Sequence, residues 1–198
     1  MTIKEIFLSN RTRSRSVALP QDFSDEEMAR DWTLSESDKQ EIGKYRKNFR
    51  LFIAVQLCAI RLYGRFLSEV NDLSPHIVNY LNSQLSLPPS LAIHVPDREA
   101  TYVEHRKNIL DYLGFRKFDE ETQRKLELWL KEKADQGVLP EDLFHQAEKY
   151  LLADHVILPG PSVLERLIGT VCATAHERIL PRQKNLWVNS GSGKLPSV

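Results

Sequence analysis

The spacing of apolar and polar residues follows the period of an α-helix along most of the chain. The clearest stripe runs from Leu164 to Ile179, and Ser162 and Glu165 form a candidate capping box at its start. The run from Phe49 to Tyr63 is apolar on nearly every face, which predicts a buried central helix. No stretch of useful length alternates with the period of a β-strand, so we predict an all-α fold.

Capping residues predict where the other helices begin and end. Serine, aspartate and proline favour the first positions of a helix, and glycine favours the position after the last turn. These signals predict a break near Lys47 and Asn48. They also predict helices over residues 24–31, 35–46, 74–87, 97–114 and 119–137, and a further helix from Pro140 onward.

The segment Leu87–Pro96 contains three of the ten prolines and predicts a linker between two domains. We therefore expect two small helical units, helix-turn-helix-like, over residues 23–87 and 97–180. Residues 1–22, with Arg11, Arg13 and Arg15, have no apolar periodicity and are expected to form a flexible basic arm. Residues 181–198 are expected to be a disordered tail, because glycine, serine and proline are frequent near the end.

Charge is balanced overall but unevenly distributed. The chain has 27 basic and 27 acidic residues, which argues against coating nucleic acid through bulk charge. Residues 42–66 contain no acidic residue, so a locally basic surface is expected there. Its six basic residues are Lys44, Arg46, Lys47, Arg50, Arg61 and Arg65.

Several classes of function find no support in the sequence. No apolar run reaches the roughly 18 residues of a membrane span, and the first residues do not resemble a secretory signal. Cys58 and Cys172 lie within apolar helical runs, which is typical of buried thiols in a reducing compartment, so a cytoplasmic location is expected. The histidines lack metal-ligand spacing, and no nucleophile motif or phosphate loop is present. We expect no catalytic centre, cofactor, metal or small-molecule substrate.

Two features indicate contact with DNA. The first is the basic bend between the second and third predicted helices, where cationic and amide side chains lie beside a helix amino terminus. The second is the tight connection 158–162, which leads into a polar helix face carrying Arg166 and Thr170, as in a helix-turn-helix. Each feature also has a purely structural interpretation. The basic bend can be an ordinary solvated surface, and the small residues Gly169 and Ala173 can allow another helix to pack closely against this face.

Three groups of residues carry a resemblance to a known family. They are Gln56-Leu57-Cys58 with Arg61 and Tyr63-Gly64-Arg65-Phe66; His105 with Tyr112-Leu113-Gly114-Phe115-Arg116; and Leu158-Pro159-Gly160-Pro161-Ser162 with Leu164-Glu165-Arg166-Leu167. In this order the sequence resembles the amino-terminal region of the replicative transposases of the Tn-three family, from about Phe23 to Arg178.

The resemblance implies that the chain binds the terminal inverted repeats of a transposon through two helical DNA-binding units. It also implies that strand transfer belongs to another part of the polypeptide, where the family holds divalent metal with a carboxylate triad. Since family members continue for several hundred residues more, we expect a domain, a truncated product or a short regulator. Double-stranded DNA is the expected partner, together with self-association or the remainder of a transposase on the nucleoid.

Candidate DNA contacts are assigned to both units. We expect lysines and most arginines to bind phosphates, and Asn48, Arg50 and Arg166 to reach base edges. The complete set is Lys44, Arg46, Lys47, Asn48, Arg50, Arg65, Arg98, His105, Ser162, Arg166, Thr170, Arg178, Arg182 and Lys184. A dimeric transcriptional regulator and a helical protein-interaction module remain alternatives, distinguished by a palindromic footprint and by the absence of DNA binding at low salt.

Overall fold

The computed structural model describes residues 23–89 and 91–175 completely, and the helical backbone alone over residues 176–189. This part of the chain contains eight α-helices, which confirms the predicted all-α class. They are α1 (Asp25–Asp31), α2 (Glu36–Gly43), α3 (Arg50–Tyr63), α4 (Pro75–Gln84), α5 (Glu99–Leu113), α6 (Glu120–Asp135), α7 (Pro140–Ala153) and α8 (Pro161–Asn189). Within the described residues no strand forms, and one isolated parallel bridge joins Arg116 and Val156. The predicted arm over residues 1–22 lies outside the described part.

Most of the predicted helix ends are confirmed by capping contacts. Ser24 and Ser35 each form a capping box with the residue three positions later. The Asp119 carboxylate accepts a hydrogen bond from the backbone N–H of Thr122 at the start of α6. Gly64 ends α3 with φ +66°, a left-handed conformation that residues with a Cβ rarely adopt.

Four helix ends differ from the prediction, and one of them is the end of α4, at Gln84 rather than at residue 87. Helix α2 ends at Gly43 rather than at residue 46, because glycine has low helix propensity and Arg50 takes over the carbonyl groups at this end. Helix α5 has Arg98, not Asp97, at its N-cap, and no side chain there accepts a hydrogen bond from its backbone. Helix α8 begins at Pro161, so Ser162 lies inside its first turn and not at its N-cap.

The expected tail is also partly wrong. Helix α8 continues to Asn189, so residues 181–189 are helical. Proline at position 181 removes one backbone hydrogen bond, but the following glutamine, lysine and leucine residues favour helix. The residues beyond 189 lie outside the described part.

The helices form two compact units, and the first comprises residues 23–118 together with Leu151–Pro159. Its centre is α3, which packs against α2, α4 and α5 and buries every residue from Leu51 to Ile60. Trp32 of the segment after α1 is fully buried in the same core. Burial raises the pKa of the Cys58 thiol to about 12, so this cysteine behaves as a buried hydrophobe, as predicted.

The division of the chain does not fall at Leu87–Pro96 as the prolines suggested. Leu87 and Pro96 are buried, and Ile109 and Leu110 of α5 belong to the same core as α3. The Asn82 amide also donates to the backbone oxygen of Leu91 at 3.1 Å. The segment is therefore packed down by its own apolar side chains and lies inside the first unit, so the expected linker is corrected.

The second unit comprises Asp119–Tyr150 and the chain from Gly160 onward. Helices α6 and α8 pack against each other and bury Leu126, Leu130, Leu164 and Ile168. The chain thus enters this unit, returns to the first unit over Leu151–Pro159, and leaves again. Each unit is consequently built from parts that are distant in sequence.

Candidate nucleic-acid interface

The basic bend is a short 3-10 turn, Lys47–Phe49, between α2 and α3. Lys44, Arg46, Lys47 and Asn48 are exposed there, as a DNA-contacting surface requires. Arg46 and Lys47 form no ion pair with any residue that the structure describes, whereas Lys44 pairs with Glu41 on α2. Two cations of the bend are therefore available to phosphate groups.

Arg50 has a structural role at the same bend. Its guanidinium group donates to the backbone oxygens of Tyr45 and Gly43, at 3.0 and 2.9 Å. These are carbonyl groups at the end of α2 that the helix itself cannot satisfy. The side chain is half-buried. Arg50 therefore stabilises the bend, and its guanidinium group is less available to a DNA base than the sequence suggested.

Arg61 is exposed, but its guanidinium group reaches the fully buried carboxylate of Asp38, an ionic contact that sequence reasoning missed. Both of its terminal nitrogens donate to the Asp38 carboxylate at 2.7 Å, and the Tyr112 hydroxyl donates to the same carboxylate at 2.8 Å. Burial alone raises the pKa of Asp38, but the hydrogen bonds from Arg61, Tyr112 and Ser35 outweigh it and hold this pKa far below its usual value. The only signals in the sequence were Arg61 in an apolar helix and Asp38 at a capping position.

Arg65 and Gln56 lie near the end of α3. Arg65 is half-buried and engaged with other groups. The Gln56 amide donates to the backbone oxygen of Leu67 and accepts from its N–H, both at 2.9 Å. Gln56 thus fixes the segment after α3, and the motif around it is largely structural.

Gly64 and Arg116 explain two further motif positions. The backbone oxygen of Gly64 accepts from the N–H of Leu158 at 2.8 Å, and the Arg116 guanidinium pairs with Asp154 at 2.6 Å. Both contacts hold the returning segment Leu151–Pro159 in the first unit. These motif residues therefore stabilise the packing of the first unit.

The structure brings Lys44, Arg46, Arg98 and His105 together around one cavity of about 650 Å³. The sequence had placed the first two and the last two in different domains. The packing of α5 against α3 unites them in one unit. Arg98 is exposed at the N-cap of α5, and it forms no ion pair with the part of the chain that the structure describes.

His105 forms part of the wall of this cavity and is only 8% exposed. Its ring lies edge-to-face with Tyr45 and Phe49, at centroid distances of 5.0 and 5.1 Å. Its Nδ1 atom is buried and has no hydrogen-bond partner among the described residues. Burial lowers the pKa of His105, while the neighbouring Glu104 raises it by less, so the neutral imidazole is favoured.

In the second unit, Ser162, Arg166 and Thr170 are exposed on α8 at four-residue intervals, so they share one face. The Thr170 hydroxyl donates to the backbone oxygen of Arg166 at 2.9 Å. A Cβ atom added at Gly169 would have no neighbour within 4 Å among the described residues, so this position seats no other helix there. Arg178, Arg182 and Lys184 lie outside the residues whose side chains are described.

The connection between α7 and α8 is longer than the sequence suggested. Seven residues, 154–160, separate the two helices, and Arg116 pairs with this segment through its backbone. The turn of a helix-turn-helix usually has three or four residues, so this connection is longer than such a turn.

None of the helices in the described ranges is long and apolar enough to cross a membrane.

Comparison with known proteins places the chain in a family. A family model described as "Domain of unknown function (DUF4158)" matches residues 7–171. The chain is 26% identical over 168 residues to the transposase for transposon Tn1546 of Enterococcus faecium, covering 84% of this chain and 17% of that protein. The identity to the transposase for transposon gamma-delta of Escherichia coli K12 is 30% over 165 residues, or 79% and 16% of the two proteins.

The transposase for transposon Tn501 of Pseudomonas aeruginosa is 30% identical over 180 residues, which cover 89% of this chain and 18% of that protein. The chain therefore spans less than a fifth of the length of these relatives. The predicted resemblance to Tn-three family transposases is confirmed, and the chain belongs to the DUF4158 family.

Proposed function

We propose that this chain is a DNA-holding region of a Tn-three family transposase and binds the terminal inverted repeats of its transposon as duplex DNA. The three relatives described above are transposases, which supports a role in transposition. Transposases must hold both ends of the element, and a helical region with exposed cations suits that task.

The observation that carries the proposal is the exposed basic bend before α3. Arg46 and Lys47 extend from a 3-10 turn, Asn48 lies beside them, and Arg98 is exposed on the rim of the adjoining cavity. Cations without ion pairs release counterions when they meet phosphate groups, which is the main source of affinity for duplex DNA. Asn48 is the side chain of this group that is suited to read an adenine edge.

The second unit supplies a second contact surface. Ser162, Arg166 and Thr170 lie on one exposed face of α8, and the lack of a side chain at Gly169 allows a close approach. Arg166 has the length and the paired donors to recognise guanine, and the Ser162 hydroxyl can donate to a phosphate oxygen. Two such surfaces let one chain bind a long terminal repeat.

In this proposal, strand transfer is carried out by the part of the relatives that this chain does not match. The chain acts without a cofactor, on chromosomal or plasmid DNA in the bacterial cytoplasm. Its other partner is the remainder of a transposase or a second copy of itself. In that role it positions the transposon ends and performs no reaction.

A salt-dependent binding experiment tests the proposal. Fluorescence anisotropy is measured with a labelled duplex carrying the terminal repeat of the transposon that encodes the chain, and with a scrambled duplex. Lys47→Glu should weaken binding to both duplexes and reduce the slope of log K against log salt by about 0.9 for the lost phosphate contact. Lys107→Glu is the matched control, because Lys107 is an exposed lysine of the same unit that lies on α5, does not line the cavity and is not part of the bend.

Equal losses in Lys47→Glu and Lys107→Glu would show that only total charge matters and would contradict a site at the bend. No binding to either duplex at low salt would reject the proposal and favour a protein-interaction module. A symmetric dimer with a palindromic footprint would instead favour a transcriptional regulator.

A further inference from the structure

The cavity beside the basic bend has the dimensions of a small-molecule site. Its volume of about 650 Å³ lies within the range of roughly 300–1,000 Å³ found for such sites. Its lining combines cationic side chains with aromatic rings, which suits a ligand that has both an anionic group and a planar body.

The rim of the cavity suits the anionic group. Arg46 and Arg98 lie on it without ion pairs to described residues, and α5, a helix of 15 residues, begins there with no side-chain cap. The backbone N–H groups of its first turn are thus free to donate to phosphate oxygens. Lys44 adds a third cation, although Glu41 already pairs with it.

The wall suits a planar heterocycle. Tyr45, Phe49 and His105 supply three aromatic rings that line the cavity, and the edge-to-face contacts of His105 with the other two rings hold them in place. Glu41, Asp97 and Glu104 also line the cavity, so its three cations are matched by three carboxylates and it is not simply an anion site. Carboxylates beside aromatic rings accept hydrogen bonds from the exocyclic amino groups of bases.

We propose that this cavity binds a single nucleotide, with its base against the wall that Tyr45, Phe49 and His105 form and its phosphate at Arg46, Arg98 and the amino end of α5. The inference rests on the proposed DNA binding where the nucleotide belongs to the bound DNA. Such a nucleotide must be unpaired, because a base can enter a cavity only after it leaves the stack. A free nucleotide is the other source of the same chemistry.

The test compares two labelled duplexes that differ only in a short single-stranded extension, together with free deoxyadenosine monophosphate as a separate probe. If one base stacks in the cavity, the extended duplex should bind about tenfold more tightly than the blunt duplex. The measured quantity is the ratio of the two affinities, so a general loss of DNA binding does not imitate the effect.

Thr101→Trp fills the cavity from the first turn of α5, where the half-buried Thr101 lines it. This variant should bring the ratio to about one and leave blunt-duplex binding unchanged. Arg98→Ala should also reduce the ratio. If circular dichroism shows that Thr101→Trp is unfolded, the ratio measured with Arg98→Ala tests the nucleotide site instead. Lys107→Ala is the control on the same helix and should keep the ratio of the unmodified chain.

The outcomes separate the two proposals. Blunt-duplex binding with a ratio of one, and no binding of the free nucleotide, would overturn the nucleotide site while the proposed DNA binding stands. Binding of deoxyadenosine monophosphate that Thr101→Trp abolishes supports the site with a free nucleotide as the source, even if no duplex binds. A ratio of about ten that persists in Thr101→Trp would also overturn it, because the unpaired base would then bind elsewhere.

Discussion

Replacing Gly64 with alanine tests how the first unit is assembled. Gly64 has φ +66°, and an added Cβ would lie 2.5 Å from Leu152 Cδ2 and 3.2 Å from Leu158. The Leu152 side chain can rotate away, but Leu158 is buried and its N–H donates to the backbone oxygen of Gly64. The chain cannot move apart at this point without losing that hydrogen bond.

The expected cost has two parts. The left-handed conformation costs an alanine about 1–2 kcal/mol, and overpacking against Leu158 adds about 1–3 kcal/mol. Gly114→Ala is the matched control. Gly114 also ends a helix with φ +70°, but an added Cβ would have no neighbour within 4 Å among the described residues. Only the first part of the cost therefore applies to Gly114, and Gly64→Ala should destabilise the unit more by the second part.

Amide hydrogen exchange measured by mass spectrometry is a suitable assay, because it reports the opening of one unit without assuming that the whole chain unfolds in a single step. Peptides from α3 and α5 should lose about 2–5 kcal/mol of protection in Gly64→Ala and about 1–2 kcal/mol in Gly114→Ala. Equal losses in the two variants would refute the argument that Leu158 restricts position 64.

The contact between Asp38 and Arg61 and the α8 face of the second unit can be tested in the same way. Asp38→Asn weakens the hydrogen bonds that the buried carboxylate accepts from Arg61, Tyr112 and the Ser35 N–H and should cost about 3 kcal/mol. Asp154→Asn breaks only the exposed pair with Arg116 and should cost less than about 1 kcal/mol, so equal unfolding midpoints would contradict this. Because the pKa of Asp38 is depressed in the folded state, its contribution to stability is complete above the carboxyl's unfolded pKa of about 3.9 and is lost as the pH falls through the lower folded value. Acid unfolding should therefore shift to higher pH when the Arg61 contact is removed by Arg61→Gln, and an unchanged midpoint would count against this contact. Arg166→Ala should reduce affinity for the terminal repeat more than for a scrambled duplex in the anisotropy assay, and equal losses would reduce Arg166 to a phosphate contact.

Helix positions were readable in the sequence because their signals are local. Capping serines, Pro75 at a first helical position and Gly64 at a helix end act within a few residues, and the structure has helices at all of these places. The end of α2 was missed because Arg50, seven residues beyond Gly43, satisfies its carbonyl groups. A contact of that range leaves no periodic signal.

The sequence predicted only part of the candidate site, because the rest depends on contacts between residues that are distant in the chain. Exposed cations at the bend were recognisable from a run of basic residues without acids, yet Arg61 in that run is committed to Asp38. The cavity could not be foreseen at all, since it depends on the packing of α5 beside the bend. The prolines in Leu87–Pro96 suggested a domain boundary, but Leu87 and the residues Ile109 and Leu110 of α5 pack in the same hydrophobic core.

The sequence by itself determined the helical class, the positions of most caps and the family, because these follow from short-range periodicity and from short motifs. The tertiary structure decided which helices share a unit, which cations stay free and where a cavity forms. These depend on contacts between residues far apart in the chain, such as Gly64 with Leu158 and Asp38 with Tyr112. Burial and hydrogen bonding at such distances are properties of the packed molecule, so no local pattern could specify them.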